Sequence, residues 1–117
     1  MDIILIEDND DDATKLINFF RANISNDVRW IQDGADAARF LLLEGGRSAK
    51  LILLDIVLPS VDGIELFKII RSEPGDRNIS VIFLVSSQRS KEYIESLGLE
   101  PDGFLLKPRT DGVPARI

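Results

Sequence analysis

The sequence predicts an α/β fold in which helices cover both faces of a five-stranded parallel sheet. Four short runs of consecutive apolar residues recur along the chain, and each run is too short for a helix. This pattern is typical of strands that are buried on both faces. Amphipathic helical patterns separate the runs. Alternating strands and helices with short connections favour right-handed crossovers and a doubly wound sheet.

Five segments are the predicted strands. The four apolar ones are residues 3–6, 51–54, 81–85 and 104–106. The remaining segment, residues 28–31, mixes Arg29 and Trp30 with aliphatic side chains. A mixed strand suits the edge of a sheet, and the most apolar strands suit its middle. The flavodoxin-like strand order 2-1-3-4-5 satisfies both conditions.

Four helices are predicted between these strands. The first places Leu16, Ile17 and Phe20 on one face after an acidic start at residues 9–12, which the helix dipole favours. Asp33 and Asp62 are candidate N-caps of the second and third helices. The three later helices are predicted at residues 35–43, from 63 to about 71, and from a cap at Ser87 or Ser90 to Gly98.

The chain of 117 residues is long enough for one domain and one modest core. We expect residues 1–108 to form that core. The segment after Pro108 carries Gly112 and Pro114, so it is a poor helix on propensity and too short to stand alone. We therefore expect an irregular tail at residues 109–117 instead of a last helix. The apolar surface left bare on the sheet predicts a dimer or higher oligomer.

Composition excludes several functional classes. No apolar run approaches the roughly 20 residues of a membrane span, and no basic leader marks the chain for export, so we expect a cytoplasmic protein that does not enter the membrane. The net charge of −6 argues against direct binding to nucleic acid. With no histidine and no cysteine, a metal site has to be built from oxygen ligands.

Acidic side chains stand where two of the predicted strands end. Glu7 and Asp8 follow the first strand, Asp55 follows the third strand, and Lys107 follows the fifth strand. The carboxyl ends of parallel strands meet at one crevice, so we expect these side chains to converge. Three carboxylates about 5 Å apart repel by roughly 3 kcal/mol per pair at an effective dielectric near 20. Mg²⁺ or Mn²⁺ would relieve this repulsion, with a backbone carbonyl such as that of Val57 as a further ligand.

Such a site suits phosphoryl transfer to a carboxylate. The metal would neutralise charge on the transferring oxygens, Asp55 would be the nucleophile, and the Lys107 ammonium would contact the phosphoryl oxygens. The competing interpretation is structural: Glu7 and Asp8 could be solvated acids at a helix start, and Lys107 could simply end a strand. Asp55 is harder to explain in this way, because it closes a run of four apolar residues.

Three motifs resemble the receiver domain of response regulators. Residues 4–9, ILIEDN, resemble the family's first strand and acidic pair; residues 53–59, LLDIVLP, with Asp62-Gly63 resemble its phosphorylation segment. Residues 104–108, FLLKP, resemble its terminal lysine motif. The resemblance covers residues 3–108, and the acidic stretch at residues 9–12 is also similar to that of stand-alone receivers that partner phytochrome-type kinases.

The resemblance implies a signalling role in a two-component phosphorelay. Asp55 would accept a phosphoryl group from a histidine kinase or phosphotransfer protein, and Glu7, Asp8, Asp55 and the Val57 carbonyl would hold Mg²⁺ or Mn²⁺. Phe104 would occupy the aromatic switch position. The surface around the fourth helix and fifth strand would then change its affinity for a downstream protein. Catalysis would be limited to self-phosphorylation from phosphodonors and slow loss of the phosphoryl group.

One position departs from the family pattern. The family carries Thr or Ser where this chain has Val85, and valine cannot donate a hydrogen bond to a phosphoryl oxygen. The loss of this hydrogen bond would remove about 1 to 3 kcal/mol of coupling between phosphorylation and the loop above the phosphorylation site. We hypothesise that Ser86 substitutes through a shift of one residue.

Three other functions compete with the signalling role. A pseudo-receiver that binds partners without phosphorylation is favoured by Val85 and opposed by the retained acids and Lys107. A phosphohydrolase with an aspartate nucleophile needs a second Asp where this chain has Val57. A flavin-binding electron carrier needs a first loop that binds a phosphate group. In this chain, Glu7 and Asp8 would repel that phosphate.

Overall fold

The computed structural model describes residues 3–23, 27–43, 49–56, 62–72, 79–107 and 114–117. The strands are β1 (Ile3–Ile6), β2 (Val28–Ile31), β3 (Leu51–Asp55), β4 (Ser80–Val85), β5 (Gly103–Leu106) and β6 (Ala115–Arg116). The helices are α1 (Asp10–Asn23), α2 (Gly34–Leu43), α3 (Gly63–Ser72) and α4 (Gln88–Ser96). None of the described helices is long and apolar enough to cross a bilayer.

The sheet confirms the predicted fold class. Its strand order is β2-β1-β3-β4-β5-β6, and the first five strands are parallel. The four helices predicted from the sequence are present, and the described residues contain no helix after β5.

The prediction of an irregular tail is wrong at residues 115–116, because β6 pairs antiparallel with β5. Leu106 stands opposite Ala115, and the Ile117 amide donates to the Phe104 carbonyl over 3.3 Å. An open strand edge offers unpaired backbone groups to any nearby chain segment. Helix propensity and length, from which the tail was predicted, say nothing about such pairing.

Alternate side chains of the central strands enter two separate apolar cores. One face of β1, β3 and β4 packs with Phe40, Leu66 and Ile94 from α2, α3 and α4. The other face packs with Leu16 and Phe20 of α1. Because both faces of these strands are covered, they appear in the sequence as uninterrupted apolar runs.

Side-chain caps fix where the helices begin. Asp33 Oδ1 accepts a hydrogen bond from the Ala35 amide, and Asp62 Oδ1 accepts one from the Ile64 amide over 2.7 Å. Ser87, rather than Ser90, is the N-cap of α4. These caps set the start of each helix just beyond the carboxyl end of the preceding strand, which leaves that edge of the sheet open for a site.

Candidate acidic site at the strand ends

Two adjacent strands bring the acidic side chains together. β1 and β3 are paired with Ile6 opposite Leu54, so Glu7 and Asp55 stand one position further at the same edge of the sheet. The Glu7 side chain is fully buried, Asp55 is 2% exposed, and Asp8 is exposed. One carboxylate oxygen from each of the three residues lies within 4.8 Å of the others. The expected convergence of these three acids is therefore present.

Lys107 reaches into this cluster from the end of β5. Its Nζ lies 3.0 Å from Asp55 Oδ2 and 3.1 Å from Glu7 Oε1. The backbone amide of Lys107 donates to the Val85 carbonyl over 2.9 Å, which fixes where the side chain starts. A third acid, Asp12 on α1, lies 3.5 Å from the same ammonium. Within the described ranges, the Lys107 ammonium thus faces three carboxylates, and Asp8 adds a fourth nearby.

The excess of negative charge perturbs the buried groups. Burial, followed by the neighbouring Asp55 carboxyl, raises the pKa of Glu7 from 4.5 to about 8, and Lys107 and the Asn9 amide oppose this only in part. Burial lowers the pKa of Lys107, but the carboxylates of Asp55 and Glu7 outweigh burial and hold it above its usual range. The site therefore retains a proton on Glu7 near neutral pH when no further cation is present.

The donor set fits a small hard cation. Glu7 Oε1 is buried and accepts no hydrogen bond from the described residues, although the Lys107 ammonium lies close to it. Carboxylate oxygens are the ligands that Mg²⁺ and Mn²⁺ prefer. The predicted carbonyl ligand, Val57, lies outside the described residues.

Hydrogen bonds from outside β1 hold the loop that carries Glu7 and Asp8. The Trp30 indole Nε1 donates to the Glu7 carbonyl over 2.8 Å, and Gln32 Nε2 donates to Asp10 Oδ1 over 2.6 Å. The Asn9 amide donates to Glu7 Oε2 over 3.2 Å. Sequence reasoning assigned Trp30 only to a mixed edge strand. The contact joins residues 23 positions apart, so no local pattern marks it.

Gly63 lets α3 approach the backbone of Asp55. A Cβ added at Gly63 would overlap the Asp55 carbonyl oxygen and lie 2.5 Å from Ile56 Cα. The Gly63 amide donates to the Ile56 carbonyl over 3.0 Å. The start of α3 therefore supports the strand end that presents Asp55, and only glycine fits this approach without a backbone shift.

The switch positions predicted from the sequence are arranged unevenly. Val85 is buried in the core, whereas Ser86 is exposed just beyond β4, and its hydroxyl has no hydrogen bond within the described part of the chain. Phe104 is buried, stacks on Phe83 at 6.2 Å between centroids, and has the Lys91 ammonium 5.6 Å above its ring. Of these two positions, only Ser86 carries a hydroxyl group that could donate a hydrogen bond.

Comparison with known proteins decides the family. The family model of the response regulator receiver domain matches residues 3–113. The chain belongs to this family. As a receiver domain it is similar to the probable methanogenesis regulatory protein FilR2 of Methanothrix harundinacea, with 33% identity over 91% of this chain and 71% of that protein. It spans only 42% of the transcriptional regulatory protein GltR of Pseudomonas aeruginosa, at 31% identity.

Solved receiver domains share the fold. The bacteriophytochrome response regulator RtBRR superposes with a TM-score of 0.79 at 35% identity, covering 92% of this chain and 69% of that one. The receiver domain of the sensor histidine kinase PA1611 from Pseudomonas aeruginosa PAO1 has a TM-score of 0.77 at 28% identity, covers 93% and 86% of the two chains, and has a magnesium ion coordinated in its active-site cleft. A Mn²⁺-bound form of the response regulator Rcp1 has a TM-score of 0.72 at 30% identity, covering 94% and 84%.

Proposed function

We propose that this receiver domain is a cytoplasmic phosphoacceptor of a two-component phosphorelay, and that Asp55 takes the phosphoryl group. One observation carries the proposal. The Asp55 carboxylate is nearly buried at the end of β3, beside two further carboxylates and 3.0 Å from the Lys107 ammonium. A nucleophilic carboxylate, a place for a divalent cation and a fixed ammonium are the parts that phosphoryl transfer to an aspartate needs.

The donor class is a phosphohistidine on a histidine kinase or phosphotransfer protein. An Asp55 oxygen attacks phosphorus, the P–N bond breaks, and its electron pair returns to the imidazole nitrogen, which takes a proton from solvent. Glu7, Asp8 and Asp55 would hold Mg²⁺ or Mn²⁺, which would supply positive charge against the transferring oxygens. Lys107 gives up part of its ion pair with Asp55 when the carboxylate becomes an acyl phosphate, and its ammonium is then available to the phosphoryl oxygens.

The surface that responds lies around α4 and β5. Tyr93 on α4 and Leu97, the C-cap of α4, are 56% and 44% exposed, which suits contact with a downstream protein. Phe104 of β5 lies beneath Lys91 of α4, so this contact links the strand to the helix. Because Val85 offers no hydroxyl, we assign the donor role after phosphorylation to Ser86.

A second copy of the chain is the further partner that we propose. Among the described residues, three helices cover one face of the sheet and only α1 covers the other. Ile82 and Leu105 on that second face are only partly buried. Light scattering should show a dimer or larger species at high protein concentration, and a monomer there would contradict self-association.

Titration with beryllofluoride in the presence of Mg²⁺ tests the phosphoacceptor role. Trp30 is the single tryptophan, and its indole is bonded to the Glu7 carbonyl, so its fluorescence reports the site. We expect a saturable change that needs both beryllofluoride and Mg²⁺ and is absent from Asp55→Asn. The rival role, a pseudo-receiver, is favoured by the buried Val85 at the hydroxyl position. It predicts no response to beryllofluoride in the unmodified protein.

A further inference from the structure

The outer edge of β2 is open along the described part of the sheet. β2 is the first strand in the sheet order and pairs only with β1. The carbonyls of Asp27 and Ile31 face β1, because they accept hydrogen bonds from the Ile3 and Glu7 amides over 3.1 and 3.2 Å. Backbone groups alternate in direction along a strand, so those of Val28 and Trp30 point outward. This edge can pair with another extended chain.

Two arginines stand beside this edge, and neither has a carboxylate partner in the part of the chain that the structure describes. A cavity of about 380 Å³ lies between β2 and α2, and its lining includes Arg29, Arg39, Gln32 and Asp36. The Arg29 guanidinium lies 4.4 Å from the centroid of the Phe40 ring, which fixes its position by a cation–π contact. Neither arginine forms an ion pair within the described residues. Two guanidinium groups thus face one carboxylate in a chain whose net charge is −6.

A second depression, of about 500 Å³ and widely open to solvent, is lined by residues 27–30 and shares Arg29 and Trp30 with the first. Both cavities follow the strand that carries the outward-pointing backbone groups. A small anion would use the guanidinium groups alone, whereas an extended peptide would use the groove, the strand edge and the positive charge together.

We propose that the β2 edge docks an extended acidic segment of a partner protein as an added strand. Backbone pairing with Val28 and Trp30 supplies the hydrogen bonds, and an acidic side chain of the segment lies between Arg29 and Arg39. Asp27 at the start of the strand and Asp36 in the cavity limit the acidic side chains to the middle of the segment. This surface lies on β2 and α2, away from α4 and β5, and the docking does not depend on phosphorylation of Asp55.

Three synthetic peptides test the docking on the full chain by calorimetry. The first alternates valine and glutamate, the second replaces each glutamate by lysine, and the third keeps the glutamates but carries an N-methyl group on every amide so that neither edge can donate a backbone hydrogen bond. We expect only the first to bind, more weakly at high salt. Its binding should slow hydrogen exchange at the Val28 and Trp30 amides, which NMR resolves residue by residue.

Charge-reversal variants locate the site. Arg29→Glu and Arg39→Glu should each lower the affinity for the first peptide by about tenfold or more, because each removes a charge-assisted hydrogen bond and adds repulsion. Arg89→Glu on the exposed surface of α4 is the matched control and should bind as the unmodified chain does. Arg39 is exposed on α2, so its variant tests the site even if Arg29→Glu fails to fold.

Four results would overturn the proposal. These are no saturable binding of the first peptide, equal binding of the N-methylated peptide, equal loss of affinity in Arg89→Glu, and unchanged exchange at Val28 and Trp30. Inorganic phosphate is the small-anion probe. Binding of phosphate that depends on Arg29, without binding of the acidic peptide, would assign the cavity to small anions instead.

Discussion

Glu7 is the residue through which pH should control the stability of the metal-free receiver domain. Burial, followed by the Asp55 carboxyl, raises the pKa of Glu7 from 4.5 to about 8 in the folded chain. A raised pKa means that the folded state binds this proton more tightly than the unfolded state does. Its contribution to stability is therefore fully present below about pH 4.5 and is lost as the pH rises through about 8.

The magnitude follows from the two pKa values. A tenfold change in an acid constant corresponds to about 1.4 kcal/mol, so the interval from 4.5 to about 8 sets an upper bound of about 5 kcal/mol. Water that enters the site when Glu7 ionises reduces this amount, and we expect a loss of about 2 to 4 kcal/mol. Glu7→Gln keeps the shape of the protonated side chain and removes the titration.

Urea denaturation in EDTA between pH 5 and 9 measures the effect. The free energy of unfolding of the unmodified chain should fall below that of Glu7→Gln progressively as the pH rises to about 8. Glu65→Gln, at an exposed position of α3, is the control and should follow the unmodified chain. Parallel curves for the unmodified chain and Glu7→Gln would refute the assignment of a buried, proton-retaining Glu7. Added Mg²⁺ should restore stability at pH 8 only in the chain that retains Glu7.

Three further predictions concern the surroundings of the acids. Trp30→Phe removes the indole hydrogen bond to the Glu7 carbonyl, which is worth about 1 kcal/mol. Calorimetry should therefore show an affinity for Mg²⁺ that is about fivefold weaker, and an unchanged affinity would contradict a positioning role for Trp30. Gly63→Ala should lower the free energy of unfolding by about 1 to 3 kcal/mol, because the added Cβ overlaps the backbone of Asp55. At Gly103 the nearest atom to an added Cβ is 3.7 Å away, so Gly103→Ala should lower the free energy of unfolding by less. Equal losses would argue against the close approach at Gly63. Ser86→Ala should abolish the change in partner affinity that follows phosphorylation, and an intact change would show that Ser86 is not the hydroxyl donor.

The strands and the acidic cluster were predictable for the same physical reason. A strand covered on both faces needs consecutive apolar residues, so the sequence shows where β1, β3 and β4 lie and where they end. The residues that follow parallel strands share one edge of the sheet. The convergence of Glu7, Asp55 and Lys107 therefore followed from strand assignment alone.

The supporting contacts were not predictable, since each joins parts of the chain without a local pattern. The Trp30 indole meets a carbonyl 23 residues away, and Asp12 approaches Lys107 from a different element. The pairing of β6 with β5 depends on an open edge that composition does not reveal. Gly63 was recognised as part of a motif, but its close approach to Asp55 requires coordinates.

Intact mass spectrometry after incubation with a small phosphodonor and Mg²⁺ tests the central claim most directly, namely that the acids and Lys107 equip Asp55 to accept a phosphoryl group. The unmodified chain should gain the mass of one phosphoryl group under an acidic quench. The gain should vanish in EDTA and in Asp55→Asn, and Asp102→Asn should retain it because Asp102 pairs with Arg71 outside the site. No gain with Mg²⁺ present, or a gain that persists in Asp55→Asn, would contradict the account.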